Sequence, residues 1–311
     1  MITTARYSQP DNDVTIDRLS AVSARRVIEP DTEIVGSVGG GQVLPDELLS
    51  VAGLDLHLTA EQRAKLAREE VASIVSEGIR FECVLMAGFG MSLAQSDRLT
   101  DTRVSYALHE LGEETRHSRL FLRLLDQLDS TARNPFNEGF LGMFKRKILR
   151  SIIHHPALFC VLVLAGEEIP DLIQRRMSEN PETDAFVRSV NRYHRMEEAR
   201  HLAFARVVLP ELWANSSRVQ RWRVKYLAPI IINQMFAILI HPGVYETIGL
   251  PGWRTWQAVQ RNARTVALRQ EATRPILAAI RNAGALNRVP FGWRKLTGTD
   301  RAGQPLQTGG A

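Results

Sequence analysis

The chain has 311 residues, enough for one large domain or two small ones with a full hydrophobic core. Its 44% hydrophobic and 23% charged residues are those of a soluble globular protein. The net charge is +5, but Lys and Arg alternate with Glu and Asp and show no aromatic–basic interleaving, which argues against a nucleic-acid partner. Cys83 and Cys160 each lie in an apolar run with no Cys-x-x-Cys motif, so both read as reduced, buried residues of a cytoplasmic protein. Residues 1–20 lack a basic start followed by an apolar run, so no signal peptide is expected.

Residues 1–57 show no sustained period, and Pro30, Gly39-Gly40-Gly41 and Pro45 mark an irregular leader around the core. Thr59 suits an N-cap, and a long helix is expected from there to about Gln95. Within it Glu82 shares a stripe with Val75, Ile79, Leu85 and Met86, whereas Glu77 sits with Glu70, Ser73, Arg80 and Phe81. An ionised Glu on an apolar stripe is costly unless something pairs with it, and a metal ion would, so Glu82 is the candidate.

Asp101 can cap a second helix, roughly 102–129, that carries Glu114-Thr115-Arg116-His117. Glu110 and Phe121 share that stripe, and Glu110 reads either as a supporting residue or as an exposed one. Glu113 and Arg116 point elsewhere and read as solvated. Asn134-Pro135, Gly139 and Gly142 mark a connection, and a third helical region is expected from about Phe144 to Met177. His154 and His155, beside Pro156, read as a helix start. Ala157 to Ala165 is apolar throughout, so that part should be buried all round. Gly166-Glu167-Glu168-Ile169-Pro170 follows, which suggests a locally opened helix.

A fourth helix, about 183–213, carries His194, Glu198 and His201 at i, i+4 and i+7, within ~60° of one another on one stripe. The third helix supplies Glu167 or Glu168. Residues 217–285 read as two or three further helices turning at Pro251-Gly252, and 286–311 as a flexible basic tail. The apolar run Leu227 to Val244 is interrupted by Asn233, Gln234, His241 and Pro242. It therefore reads as a buried helix rather than a membrane span, with docking on a membrane or partner as the alternative. The fold is all-α: a core at about 58–214 within a 58–285 domain, after a 1–57 leader.

A single Glu-x-x-His is weak evidence, since exposed helices are rich in Glu. Two copies on separate helices, with lone carboxylates at Glu82 and Glu167 between them in chain order, form the pattern of carboxylate-bridged two-metal bundles. Oxygen and imidazole donors without thiolate suit iron, or manganese, better than zinc. Four carboxylates nearly neutralise two divalent ions, and such a pair suits dioxygen reduction with transfer of an oxygen atom to a substrate. No organic cofactor site is read from the chain.

Glu82, Glu114-x-x-His117, Glu167 and His194-x-x-x-Glu198-x-x-His201 resemble the p-aminobenzoate N-oxygenase family of di-iron proteins over residues 60–210. The extra imidazole, His194, is the distinguishing element. The resemblance implies a ferritin-like four-helix core with additional helices, and Glu82, Glu114, His117, Glu167, His194, Glu198 and His201 as iron ligands. It favours Glu167 over Glu168 from the spacing to His194. It also implies two Fe ions, dioxygen as co-substrate, an external electron donor and a small-molecule substrate, first of all an amine. A homodimer is allowed. The competing readings are another di-iron oxidase, such as a hydroxylase or desaturase, and a non-catalytic iron-binding protein. A radical-generating subunit would be expected to carry Tyr where this chain has Phe121.

Overall fold

A computed structural model describes residues 10–140, 142–143, 147 and 152–306. Four long helices form the core: α3 (Ala60–Ala94), α4 (Thr102–Leu128), α5 (Pro156–Glu179) and α6 (Ala185–Ala214). They follow α1 (Pro10–Arg25) and a single turn, α2 (Pro30–Glu33). Each core helix begins at a definite start signal. Thr59 and Gln62 make a reciprocal capping box at α3, Asp101 and Asp184 accept backbone N–H groups at α4 and α6, and Pro156 opens α5. Apart from an isolated bridge between Thr299 and Pro305, no strand occurs among the described residues. The expected helical stretch 144–151 lies largely outside the described residues.

Helices α3 and α4 pack as one antiparallel pair and α5 and α6 as another. Two apolar clusters hold the ends of this bundle. One gathers Leu66, Val71, Leu120, Leu124, Phe186 and Val190. The other gathers Leu85, Tyr106, Leu158, Leu164, Leu209 and Trp293. The chain order of these residues shows α3 and α6 running from the first cluster to the second and α4 and α5 running back. Helices α4 and α5 are therefore parallel and need a long crossover, the connection of ferritin-like bundles. Glu69 pins the start of that crossover by accepting from the backbone N–H groups of Thr131, at 3.0 Å, and Ala132, at 3.3 Å. Glu77 pins it further on through the amides of Asn134 and Asn137. The polar middle of every core helix is left between the two apolar ends.

The structure departs from the sequence reading outside this core. The leader is not irregular throughout, because α1 is a helix of 16 residues against α4 and α6. Only Ile16, Leu19 and Ser23 of α1 are buried, which is too sparse for a visible period. A remote ion pair anchors it instead: buried Arg103 donates to Asp13 at 2.7 Å and to Glu211 at 2.9 Å. Nor are residues 286–306 a flexible tail. Leu286, Val289, Trp293 and Leu296 are buried, and the Trp293 indole donates to the Val224 carbonyl at 3.1 Å.

Residues after the core divide into more pieces than expected: α7 (Arg218–Trp222), a π-type turn at Arg223–Leu227, α8 (Ala228–Ile238), α9 (Pro242–Glu246), α10 (Gly252–Arg261), α11 (Ala263–Asn282) and α12 (Phe291–Thr297). Arg218–Glu246 is long and apolar enough to cross a membrane by composition, and half of its most apolar window is buried. Its other face exposes Val219, Trp222, Tyr226 and Ile230. Cys160 is buried as expected, but Cys83 is exposed. Helix α5 is not opened at Gly166–Pro170; it runs through Pro170. Gly166 has a packing role, since a Cβ there would fall 1.6 Å from Phe81 Cζ.

Removing the Arg103 guanidinium takes the charged partner from Asp13 and from Glu211, which is half-buried and keeps only the Asn12 amide. Arg103→Ala should cost about 1.5–3 kcal/mol of stability. It should also speed amide hydrogen exchange across 10–25 more than in α3 or α6; uniform protection would show that α1 is held by something else.

Candidate metal centre

The middle of the bundle buries an unusual amount of charge. Glu114, His117 and His201 have no measurable exposure, and Glu82, Glu167, His194 and Glu198 are each at most 4% exposed. These are the seven residues singled out in the sequence, and the four core helices bring them into one layer. Each Glu-x-x-His pair faces the other. His117 Nδ1 lies 3.1 Å from Glu198 Oε1, and His201 Nδ1 lies 3.2 Å from Glu114 Oε1. His194 Nε2 lies 3.3 Å from both Glu82 Oε1 and Glu198 Oε1. Glu167 is buried beside Glu198. Burial, with the charges of Glu198 and Glu114, drives its carboxyl well above the ordinary range.

Within this layer, three sets each bring donor atoms within 4.8 Å of one another: Glu82–His117–His194, Glu114–His117–Glu198 and Glu110–Glu114–His201. Glu167 belongs to none of the three and completes the layer from α5. Its neighbour Glu168 turns the other way and pairs with Arg206, which separates the two carboxylates that the sequence left adjacent. Glu82 is not neutralised by Arg80 or Arg116; it accepts from Ser118 and faces His194.

The far nitrogen of each imidazole is also held. His117 Nε2 meets Glu197 at 3.0 Å, His201 Nε2 meets Glu113 at 2.7 Å, and His194 Nδ1 meets Gln174 at 2.9 Å. Such contacts fix ring orientation and tautomer at metal sites. Glu113 on α4 serves the histidine of α6, and Glu197 on α6 serves the histidine of α4, a crossed exchange. Arg200 donates to Glu113 at 2.7 Å, and Tyr193 donates to Glu197 at 2.9 Å. Glu113 is therefore not solvated as the sequence suggested but buried, and Arg116 turns inward toward Glu197 at 3.6 Å. A signal was present: each Glu-x-x-His is immediately preceded by a second Glu, at Glu113 and Glu197.

The donor set fits a pair of metal ions by what it leaves unsatisfied. Both carboxylate oxygens of Glu114, Oε1 of Glu198 and Nδ1 of His117 are buried without a hydrogen-bond partner. Buried carboxylates that face imidazoles without a well-directed hydrogen bond are costly, and these converge on one volume. Burial would lower the pKa of His117, yet Glu114, Glu197 and Glu198 hold it well above its ordinary value in the metal-free chain. A cation bound among these carboxylates would displace the proton that they favour on His117. Glu110 shares the condition. It is buried, neither of its oxygens has a hydrogen-bond partner, and it stands within reach of Glu114 and His201. Burial, reinforced by Glu114, Glu198 and Glu113 against the opposing His201, pushes it up to about 8. Glu110 is not exposed.

A cavity of about 560 Å³ reaches this layer from one side, walled by α3, α5 and α8 and touching Glu82, Glu167 and His194. Phe81 and Phe121 line it, and the Phe121 ring stacks on His194 at 4.7 Å. A second, smaller cavity of about 70 Å³ ends on Glu110 from another side, between Phe89, Phe159 and Phe204.

A ferritin-like bundle with two facing Glu-x-x-His pairs and two further carboxylates defines the class of carboxylate–histidine two-metal proteins. The family model for p-aminobenzoate N-oxygenase AurF matches residues 9–284, and the chain belongs to that family. Among curated proteins it is similar to uncharacterized proteins of Mycobacterium bovis (Mb0909) and Mycobacterium tuberculosis (Rv0885). Each is 24% identical over 195 residues, covering 61% of this chain. The chain spans only 56% of the length of these relatives.

Glu113→Gln keeps the size of the His201 partner but removes its charge, and should weaken metal binding by about 10- to 100-fold in a competition with a chelator. Unchanged affinity would leave the Glu113–His201 contact without a role in binding. The folded-state pKa of Glu110 is raised from 4.5 to about 8, so the folded metal-free chain binds the extra proton. That contribution is complete below about 4.5 and is lost as pH rises toward 8. Melting temperatures of the metal-free protein across that window should fall less steeply in Glu110→Gln than in the parent.

Proposed function

We infer that this protein is a non-haem di-iron oxygenase that binds dioxygen and oxidises a small organic molecule, with an amine nitrogen as the leading target. The observation that carries the reading is the convergence of Glu114, Glu198 and His117 atoms that lack a hydrogen bond, in a layer whose Glu82, Glu167 and His194 edge meets a substrate-sized cavity. Glu82, Glu114, His117, Glu167, His194, Glu198 and His201 would hold the metals. Iron suits these donors, and two irons bound here would supply two-electron reduction of dioxygen and transfer of an oxygen atom.

The chain's own residues do the rest. His117 and His201 present Nδ1 because Glu197 and Glu113 hold their Nε2 atoms. Gln174 aims His194 in the same way. His194 would add a third imidazole to the donor set and would leave less room for an exogenous ligand. Phe81, Phe121 and Leu85 give the cavity side an apolar wall that keeps bulk water from the reacting atoms. At the position where a radical-generating subunit would be expected to carry a phenol, Phe121 stacks on His194 and has no proton to release. Leu227 and α8 wall the large cavity, and helices added in this way to the four-helix core argue against a simple storage bundle. An external donor would deliver electrons.

A second reading has a specific observation behind it. The cavity wall is almost entirely apolar, which favours attack on a carbon–hydrogen bond, as in a hydroxylase or desaturase.

Iron-loaded protein should contain about two irons per chain by elemental analysis, in line with the two-metal bundles. Glu114→Ala and His201→Ala should each lose metal and activity while keeping their helical circular dichroism. Retained iron in both variants, or a single zinc in the parent, would sink the ligand assignment. Adding dioxygen to the reduced protein should give a transient visible band and oxygen consumption. Product masses from aryl amines, alkyl amines and amine-free analogues then separate N-oxygenation from attack on carbon.

A further inference from the structure

The large cavity is more selective than a generic opening, and its polar residues show how. Its wall follows α3 from Val71 to Leu85, a rise of about 21 Å along the helix. Opposite lie Leu162, Ile169, Ile231, Met235 and Ile238. Polar side chains on the wall already have partners. Gln174 is held by His194, Asn191 donates to the Val187 carbonyl at 2.8 Å, and Glu77 accepts from Asn134 at 3.0 Å. A substrate with polar groups along its body would lose their water contacts without replacement, at about 2–7 kcal/mol for each amide or hydroxyl. Only a long apolar body fits that wall.

The opening has the reverse character. Arg80 lines the cavity with its side chain 57% exposed, beside Ile230, which is 59% exposed, and Gln234. Among arginines near the donor layer, Arg200 is committed to Glu113 and Arg116 to Glu197. Arg80 keeps only a long 3.7 Å pair with Glu77, whose Oε1 also serves two amides. Arg80 therefore has donors to offer an anion at the mouth.

We propose that the substrate is an elongated, mainly aliphatic acid. Its carboxylate stays at the mouth on Arg80, and its chain fills the apolar space between α3, α5 and α8, whose inner side carries Glu82, Glu167 and His194. This rests on the cavity being the substrate side of the proposed oxygenase centre, and it takes the carbon–hydrogen reading of that centre over the amine one. A compact aryl amine would leave most of the volume empty. Gly78 controls how far the chain reaches: it lines the cavity, and a Cβ there would sit 3.4 Å from Phe121 Cε2, in ordinary contact. A larger residue at 78 fits the backbone and projects into the chain's path.

Binding can be read on the metal-free protein, so that it does not depend on the oxygenase chemistry. A fluorescent polyene fatty acid serves as the bound probe, displaced by octanoate, dodecanoate, hexadecanoate, dodecanol and p-aminobenzoate. Displacement should strengthen from octanoate to dodecanoate by up to about fourfold per methylene, while p-aminobenzoate displaces little. Arg80→Ala should weaken dodecanoate at least about fivefold and leave dodecanol unchanged, as loss of a single charged contact would. Gly78→Leu should weaken hexadecanoate more than octanoate, and Ile230→Glu at the exposed rim should weaken every fatty acid. Competition by p-aminobenzoate equal to that of dodecanoate, or affinity independent of chain length, would overturn the proposal. So would unaltered binding in both Gly78→Leu and Ile230→Glu. If fatty acids bind in this pattern but the iron-loaded protein consumes no dioxygen, the oxygenase reading fails and the cavity assignment stands. Dioxygen consumption without fatty-acid binding gives the converse.

Discussion

Five carboxylates, Glu82, Glu110, Glu114, Glu167 and Glu198, share a buried layer with three imidazoles, and the rest of the molecule is arranged around the cost of keeping them there. An ionised carboxylate in such surroundings costs several kcal/mol unless cations or protons offset it. In the metal-free chain, protons do so in part, which is why Glu110 and Glu167 lie above the ordinary range and Glu198 well below it. For Glu198, burial opposes the shift, but His201, His194 and His117 outweigh it. The same arrangement is a strong cation trap, because every proton it holds is one that a metal ion can replace.

That layer constrains the fold in two ways. Apolar clusters must close both ends of the bundle, since the middle contributes little hydrophobic stabilisation of its own. The helices must also hold their rotation accurately, and the crossed contacts do this. Glu113 reaches from α4 to the histidine of α6, and Glu197 reaches from α6 to the histidine of α4. A rotation of either helix breaks both contacts, so the pair acts as a register lock as well as a support for the imidazoles. Arg200 and Tyr193 then hold the two supporting carboxylates in their turn.

The cavity divides the labour between helices of different kinds. Core helices α3 and α5 contribute the face that carries donors, and α8 contributes an apolar lid that does not reach the donor layer. The π-type turn at Arg223–Leu227 breaks the regular hydrogen-bond ladder immediately before Leu227, which lines the cavity. Such turns often occur beside functional sites, where the extra residue re-aims a side chain. Gly166 works in the same direction by letting the Phe81 ring lie on the backbone of α5 next to Glu167.

The spacing of His194, Glu198 and His201, and its partial repeat at Glu114 and His117, made the four-helix core and a set of candidate donors legible from sequence alone. Helical geometry makes residues three, four and seven apart share a face, so ligand spacing is local information. Tertiary packing decided everything that depends on how one helix is rotated against another. It turned Glu113 and Arg116 inward, separated Glu167 from Glu168, buried Glu110 and left Arg80 at the mouth of the cavity. It also made ordered helices of residues 10–25 and 291–297, whose few anchors, Asp13 with Arg103 and Trp293 with Val224, join positions 90 and 69 residues apart. Contacts at that range leave no period in the chain, because the chemistry that makes them lies on a different helix.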